Sequence, residues 1–381
     1  MLQTVVTLLQ FALDAFALFF VVKLAVAFSL FRMRSTEREL RSLEDLPSVS
    51  VCIPARNETH AMTECLERVV ASNYPKLEVI VLDDSSVDDT SILIKSFAHA
   101  GVRFVEGTPL PDGWLGKNHA FESLRQEASG TLIFYMDVDT QIQPDTIGKL
   151  VAYAAHESAE MVSVLPQRMD NWRSNVIFSG LRYFWTLLLH RKKAPAVASN
   201  AWLIRHSTLS DAATGFERHR LDVQPESHIA ASLSQRSAYR FIIANEQLGV
   251  AYEKRYKSFV ETNIRLLYPM VGGRFITGLL ALICLLILCS PIATLLAAPV
   301  TGWTIYQLIA LGQLVLFGLI YALYLSKVWR RGWWLGVVLW PIALVQDGVL
   351  FIVSVLKYVR GTVTWKGRPV VAPKISRAVE L

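Results

Sequence analysis

The chain has 381 residues, room for two or three structural units. Hydrophobic residues make up 52% and charged residues 18%, and the net charge is +6; the cations cluster beside apolar stretches rather than on a basic face interleaved with aromatics. That pattern favours an anionic membrane surface and excludes nucleic acid as a partner, while Cys52, Cys65, Cys284 and Cys289 form no Cys-x-x-Cys pair and so argue against zinc and against a disulfide framework.

Residues 2–31 are almost continuously apolar, broken only by Asp14 and Lys23, and are followed by Arg32, Arg34, Arg38 and Arg41. The run is long for a secretory signal, has no basic start, and is sufficient to cross a bilayer. The arginines place its C-terminal end in the cytoplasm. Residues 1–31 are therefore expected to be an N-terminal anchor.

Residues 45–240 read as an α/β unit. Val49–Ile53, Leu77–Leu82 and Thr131–Met136 are buried, strand-like runs, and 61–71 and 92–98 are helical between them. Such alternation predicts a mostly parallel sheet with right-handed crossovers. Residues 172–193 mix Trp172, Ile177, Phe178, Leu181, Phe184, Trp185, Leu188 and Leu189 with Arg173, Arg182, Arg191, Lys192 and Lys193. The charges exclude a span; an interfacial amphipathic helix and an ordinary half-buried helix both fit.

An interfacial linker is expected over 241–272, and a membrane bundle with a basic tail over 273–381. Residues 275–326 contain no charged residue. The run exceeds one hydrocarbon thickness and is expected to turn near Pro299 and Gly302, giving spans at 275–297 and 303–326. Lys327, Arg330 and Arg331 return the chain to the cytoplasm. A third apolar segment, 333–358, carries Pro341, Gln346 and Asp347. A carboxylate there is costly in lipid, and the tail holds Lys357, Arg360, Lys366, Arg368, Lys374 and Arg377. A re-entrant or broken hairpin is therefore expected, with Asp347 meeting a protein or aqueous partner.

Polar clusters follow the three strands. The first is Pro54-Ala55-Arg56-Asn57-Glu58, the second runs from Asp83 and Asp84 to Thr90, and the third is Asp137-Val138-Asp139. Singly, each reads as a turn or a helix cap. Together, at the carboxyl ends of one parallel sheet, they converge on one crevice. Carboxylates cannot meet a nucleotide diphosphate without a cation between them, and Mg²⁺ or Mn²⁺ takes hard oxygen ligands. Asp137 and Asp139 point to one side of an extended segment and would hold that cation. Lys117, in Gly113-Trp114-Leu115-Gly116-Lys117, would add positive charge at the leaving diphosphate. Asp83 and Asp84 would accept hydrogen bonds from base and ribose.

The order of these motifs, from Val49 to about Leu209, resembles family 2 glycosyltransferases of the GT-A fold. The likeness is to the membrane branch with ceramide glucosyltransferase and the hopanoid-associated and carotenoid-acid glycosyltransferases. Pro109 to Lys117, Asn200 to Arg205, and the tail Val363-Thr364-Trp365-Lys366-Gly367-Arg368 carry it most specifically. The resemblance implies nucleotide contacts at Pro54, Arg56, Glu58 and Asp84, a phosphate contact at Lys117, and metal binding by Asp137 and Asp139, chiefly Asp139. It also implies inverting transfer from a nucleotide sugar, with a carboxylate deprotonating the acceptor.

Two places depart from the family. Its base lies in a Glu-Asp pair, but here Pro225-Glu226-Ser227-His228 puts Ser227 where the Asp belongs, leaving Glu226 or Asp222 as base. His228 could be proposed instead, or be a helix-face histidine beside a carboxylate. Its Gln/Arg-x-x-Arg-Trp becomes Thr262-Asn263-Ile264-Arg265-Leu266, and only Arg265 survives. The expectation is a metal-dependent glycosyltransferase of the cytoplasmic face, in a bacterial inner membrane, moving sugar from a UDP-sugar to a lipid hydroxyl. A polysaccharide synthase and a catalytically silent nucleotide-sugar-binding membrane protein are the alternatives.

Overall fold

The computed structural model describes residues 2–33, 46–169, 181–329 and 332–370. Arg34, Arg38, Arg41, Trp172, Arg173, Ile177, Phe178, Arg330, Arg331, Lys374 and Arg377, on which several expectations fell, lie outside the described residues.

Seven strands form the main sheet in the order β3-β2-β1-β4-β8-β6-β9. They are β1 (Val49–Ala55), β2 (Leu77–Asp83), β3 (Val102–Glu106), β4 (Leu132–Met136), β6 (Met161–Leu165), β8 (Ala201–Arg205) and β9 (Tyr239–Ile243). β3, β2, β1 and β4 are parallel to one another, as are β6 and β9, and β8 runs antiparallel between β4 and β6. A small sheet of β5 (Thr140–Gln141), β7 (Gln167–Arg168) and β10 (Ala251–Tyr252) lies just past the end of β4. The sheet is therefore mostly parallel, as expected, but β9 runs across the boundary expected at residue 240. Pro54 sits in β1 beyond Cys52, the last residue paired with β4, so its missing donor costs no ladder bond on that side.

One face of the sheet packs against α2 (Thr59–Val70) and α5 (Thr146–His156), with Leu66, Val69, Leu150 and Val151 buried. The other face meets α4 (Gly116–Glu127) and continues without a break into the apolar helices. There α1 (Leu2–Leu30), α6 (Arg182–Leu188), α10 (Ile305–Val328) and α11 (Gly336–Val359) interlock through aromatic rings. Phe184 meets Phe20 at 5.4 Å and Trp340 at 5.8 Å, and Phe317 stacks on Trp340 at 5.7 Å. The expected helix over 172–193 is seen from Arg182, with Tyr183, Phe184, Leu187 and Leu188 buried against that bundle.

Among the described residues, four helices are long and apolar enough to cross a membrane: Leu8–Leu30, α9 (Phe275–Leu296), α10 and Trp333–Val359. α9 and α10 fall where two spans were expected, with the turn at Ala298 to Gly302. The segment 333–358 corrects the expectation of a broken hairpin: α11 is one uninterrupted helix despite Pro341. Its carboxylate finds the required protein partner, since Trp185 Nε1 donates to Asp347 Oδ2 at 2.6 Å. Close approach at the start of α11 depends on Gly318, where a Cβ would fall 2.3 Å from the Val337 carbonyl. Lys23 in α1 is likewise satisfied, donating to the His190 carbonyl at 2.8 Å.

Candidate functional site

The carboxyl ends of β1, β2 and β4 open on one cleft of about 580 Å³ including its mouth. Pro54, Arg56, Glu58, Asp84, Lys117, Asp137, Asp139 and Arg265 line it, so eight of the expected site residues come together. The loops after β1 and β2 hold each other in place. Asn57 N donates to Ser86 Oγ at 2.9 Å, Val87 N to Asn57 Oδ1 at 2.9 Å, and Glu58 N to Thr90 Oγ1 at 2.8 Å. Asn57 and Ser85 take positive φ there, a conformation that must be held by such bonds.

Every carboxylate on the cleft faces a cation. Lys117 Nζ meets Asp137 Oδ1 at 2.8 Å, and Lys254 Nζ lies 3.4 Å from Asp139 Oδ2. Arg368 Nη1 contacts both oxygens of Asp84, at 2.8 and 2.6 Å, while Lys366 pairs with Glu58 and donates to the Arg56 carbonyl at 2.8 Å. Arg368 lies so close that a Cβ on Gly116 would fall 2.7 Å from its Nη1. Burial would raise the Asp137 carboxyl, but Lys117, Lys254 and Arg265 prevail and hold it below its ordinary value. At Glu58 and Asp84 burial prevails and the carboxyls are raised against the pull of Lys366 and Arg368.

Asp139 Oδ1 is buried with no hydrogen-bond partner among the described residues. With Asp137 beside it on the same cleft, it gives a set of hard oxygen donors with an unused acceptor. These residues fit a divalent cation.

Three expected residues do not line the cleft. Asp83 is turned into its own loop, accepting from Ser86 and Ser91. Asp222 is held by His219 Nδ1 at 2.7 Å and His228 Nε2 at 3.6 Å. Glu226, at the start of α7 (Pro225–Gln235), is 2% exposed, with Oε2 unpartnered among the described residues. Its field is felt at Arg265. Arg265 itself, on α8 (Tyr256–Met270), stacks its guanidinium 4.8 Å from the Trp365 ring.

Lys254, Ser258 and Trp365 line the cleft without having been expected there. Lys366 and Arg368 arrive on a two-stranded hairpin, β11 (Thr364–Trp365) and β12 (Arg368–Pro369), that closes over the cleft from the far end of the chain. The Trp-Lys-Gly-Arg tail was a visible signal for them; nothing marked Lys254.

Residues 50–206 match the model of the family described as glycosyl transferase family 2. The chain is 24% identical over 206 residues to an undecaprenyl-phosphate 4-deoxy-4-formamido-L-arabinose transferase of Sodalis glossinidius, covering 52% of this chain and 56% of that one. It is 36% identical over 107 residues to an N-acetylglucosaminyltransferase of Rhizobium leguminosarum bv. viciae, covering 28% of this chain and 25% of that one. The chain thus spans about half of the first relative and a quarter of the second. A mannosyltransferase from Pyrobaculum calidifontis, solved with GDP-Man and Mn²⁺, shares the fold with TM-score 0.58 at 18% identity, over 92% of this chain and 98% of that one.

Proposed function

We propose that this chain, whose residues 50–206 match the model of glycosyl transferase family 2, transfers a sugar from a nucleotide-diphosphate donor, a UDP-sugar, to a membrane lipid. The observation that carries the reading is one cleft holding Asp137, Asp139 and Lys117 beside Arg56, Glu58 and Asp84. A nucleotide would lie along Pro54, Arg56, Glu58 and Asp84, with its diphosphate toward Lys117 and the aspartates. Asp137 and Asp139 would hold Mg²⁺ or Mn²⁺, whose charge offsets that of the departing diphosphate. Lys117, at the N-terminus of α4, adds its charge where the diphosphate develops. Arg265 reaches the same cleft. A single displacement inverts the anomeric carbon.

The apolar helices share a core with the sheet, and the relatives named for transfer to undecaprenyl phosphate support a lipid acceptor. Arg32 and Lys327, at the catalytic ends of α1 and α10, favour the cytoplasmic face. The few apolar helices and the missing Gln/Arg-x-x-Arg-Trp disfavour a polysaccharide synthase. A silent donor-binding protein keeps one observation on its side, that Glu226 and Asp222 stand off the cleft.

The test is transfer of label from UDP-sugars, with Mn²⁺ or Mg²⁺, into the lipid extract of membranes containing the wild type or Asp139→Ala. Label in the wild type, reduced about a hundredfold or more in Asp139→Ala, is expected. Equal label in both would remove Asp139 from the metal site, and donor binding without transfer would favour the silent protein.

A further inference from the structure

Three side chains outside the cleft converge at the start of α7. His219, Asp222 and His228 each bring a ligand atom within 4.8 Å of the others. His219 Nδ1 is 2.7 Å from Asp222 Oδ2, and His228 Nε2 is 3.6 Å from the same oxygen. The two imidazole rings stand face to face, with centroids 5.3 Å apart and 17° between their planes.

Hydrogen bonding decides what these atoms are. His219 Nε2 lies 3.3 Å from the Ala213 carbonyl, which only accepts, so Nε2 carries the ring proton. Nδ1 of the neutral ring is then a lone pair, and it meets a carboxylate, a second acceptor. Two acceptors at that distance need a cation between them. Glu58, Asp84, Asp137 and Asp139 in the cleft each face a lysine or an arginine. Among the described residues, only histidines reach the Asp222 carboxylate. The neighbouring Arg220 is spent on Glu217, at 2.7 Å. A proton on His219 would serve one pair of atoms and leave His228 aside. One metal ion serves all three, because ligands about 2.1 Å from a tetrahedral ion stand about 3.4 Å apart, a value between the two distances above. A metal-bound histidine also gives its other N–H to a carbonyl or carboxylate, as His219 does to Ala213.

We infer that His219, Asp222 and His228 bind a divalent transition-metal ion of the zinc class, with water completing its shell beside the exposed His228. Two imidazoles and one carboxylate suit zinc, whereas the two aspartates of the cleft suit Mg²⁺ or Mn²⁺. The cysteine spacing argues only against a thiolate site, and this one uses no thiol. None of the three residues lines the cleft, so the ion acts on the chain and not on the sugar. It ties the segment before α7 to α7 itself. That segment is already tied to α4. Asn118 Nδ2 donates to the carbonyls of His219, Arg220 and Asp222 at 2.9, 3.1 and 2.8 Å, and Leu115 N donates to that of Arg220 at 2.9 Å. α4 carries Lys117, the partner of Asp137, so the ion braces one wall of the cleft from behind. It also withdraws Asp222 from any role as base.

The test is Zn²⁺ binding by full-length protein in detergent, carrying no histidine tag, stripped with chelator and held in excess Mg²⁺ to occupy the cleft aspartates. Zn²⁺ is titrated against a competing chelating indicator, and bound metal is counted by elemental analysis. One equivalent is expected in the wild type and in Asp139→Ala. In Asp222→Asn and His228→Ala the Kd is expected to rise at least about a hundredfold, more than the loss of an outer partner costs. His228 is exposed and Asn is close in shape to Asp, so both variants keep the fold. Zn²⁺ is expected to raise the thermal midpoint of the wild type and to leave theirs unchanged. No binding by the wild type, or equal binding by the wild type and His228→Ala, overturns the inference. Binding lost in Asp139→Ala but kept in His228→Ala assigns the zinc to the cleft and overturns it as well. Sugar transfer is not a readout, so the outcome holds whether or not the transferase reading does.

Discussion

Glu226 separates two mechanisms at the scale of one residue. It is buried, has an oxygen with no partner among the described residues, and lies off the cleft. If it were the general base, Glu226→Gln would cost roughly 10²–10⁴ in kcat. With an already ionised acceptor, kcat is expected to fall less than about tenfold, with no new dependence on pH; steady-state rates from pH 6 to 9 check this. Asp88 shows a carboxylate with a structural task. Burial would raise it, but bonds from Thr90 and Thr59 hold it down to about 2. A depressed carboxylate stabilises the fold above its unfolded value of about 3.9, and that contribution is lost as pH falls through about 2. In Asp88→Asn the thermal midpoint is expected to fall at pH 7 and the deficit to shrink toward pH 2. The residues that sequence could reveal were those at strand ends, where Asp84, Asp137 and Asp139 follow runs of buried β-branched and aromatic residues. Asp83 misled because adjacent residues in an extended segment face opposite ways, and only Asp84 faces the cleft. Lys254 was illegible because only pairing of β10 with β5 and β7 brings it beside Asp139.

Between elements, the most exposed dependence is the tether of α6 to α11. Trp185 Nε1 is a side-chain donor to Asp347, a carboxylate 2% exposed in a mostly apolar helix. Trp185→Phe leaves that group short of a partner, and removing one partner of a buried polar pair costs on the order of 1–3 kcal/mol, more for a charge. A lower thermal midpoint is expected for Trp185→Phe, and recovery of most of it when Asp347→Leu is added. If the double variant is no better than the single, the bond does not hold these helices together. The same pair explains why α11 was read as broken: a carboxylate in an apolar run signals cost, but the partner that meets it comes from 162 residues away in sequence. β1, β2 and β4 were legible because their near-continuous burial leaves near-continuous apolar runs. β3 was not, because it is an edge strand whose Arg103 and Glu106 are exposed.

On the scale of the whole molecule, both ends of α11 return to the sheet domain. Just before it, Trp329 bridges Arg168, and at its end Tyr358 donates to the Arg265 carbonyl at 2.7 Å. Beyond it, Lys366 and Arg368 reach Glu58 and Asp84 in the cleft. A helix of 24 residues is about 36 Å long, enough to cross, but crossing would carry the hairpin to the face opposite its own ion pairs. The exposed stripe of Val338, Ile342, Val345, Val349, Ile352 and Leu356, with Asp347 turned inward, suits a helix lying along the bilayer surface. α1, α9 and α10 would then be the crossings, with the α9–α10 turn on the far side. In a variant lacking Cys284 and Cys289, single cysteines at Arg218, Thr362 and Thr301 check this with a membrane-impermeant maleimide on sealed vesicles. Arg218→Cys and Thr362→Cys are expected to label from one side and Thr301→Cys from the other. If Thr362→Cys labels together with Thr301→Cys, α11 crosses the bilayer, and the hairpin cannot close the cleft of Glu58 and Asp84 in the membrane.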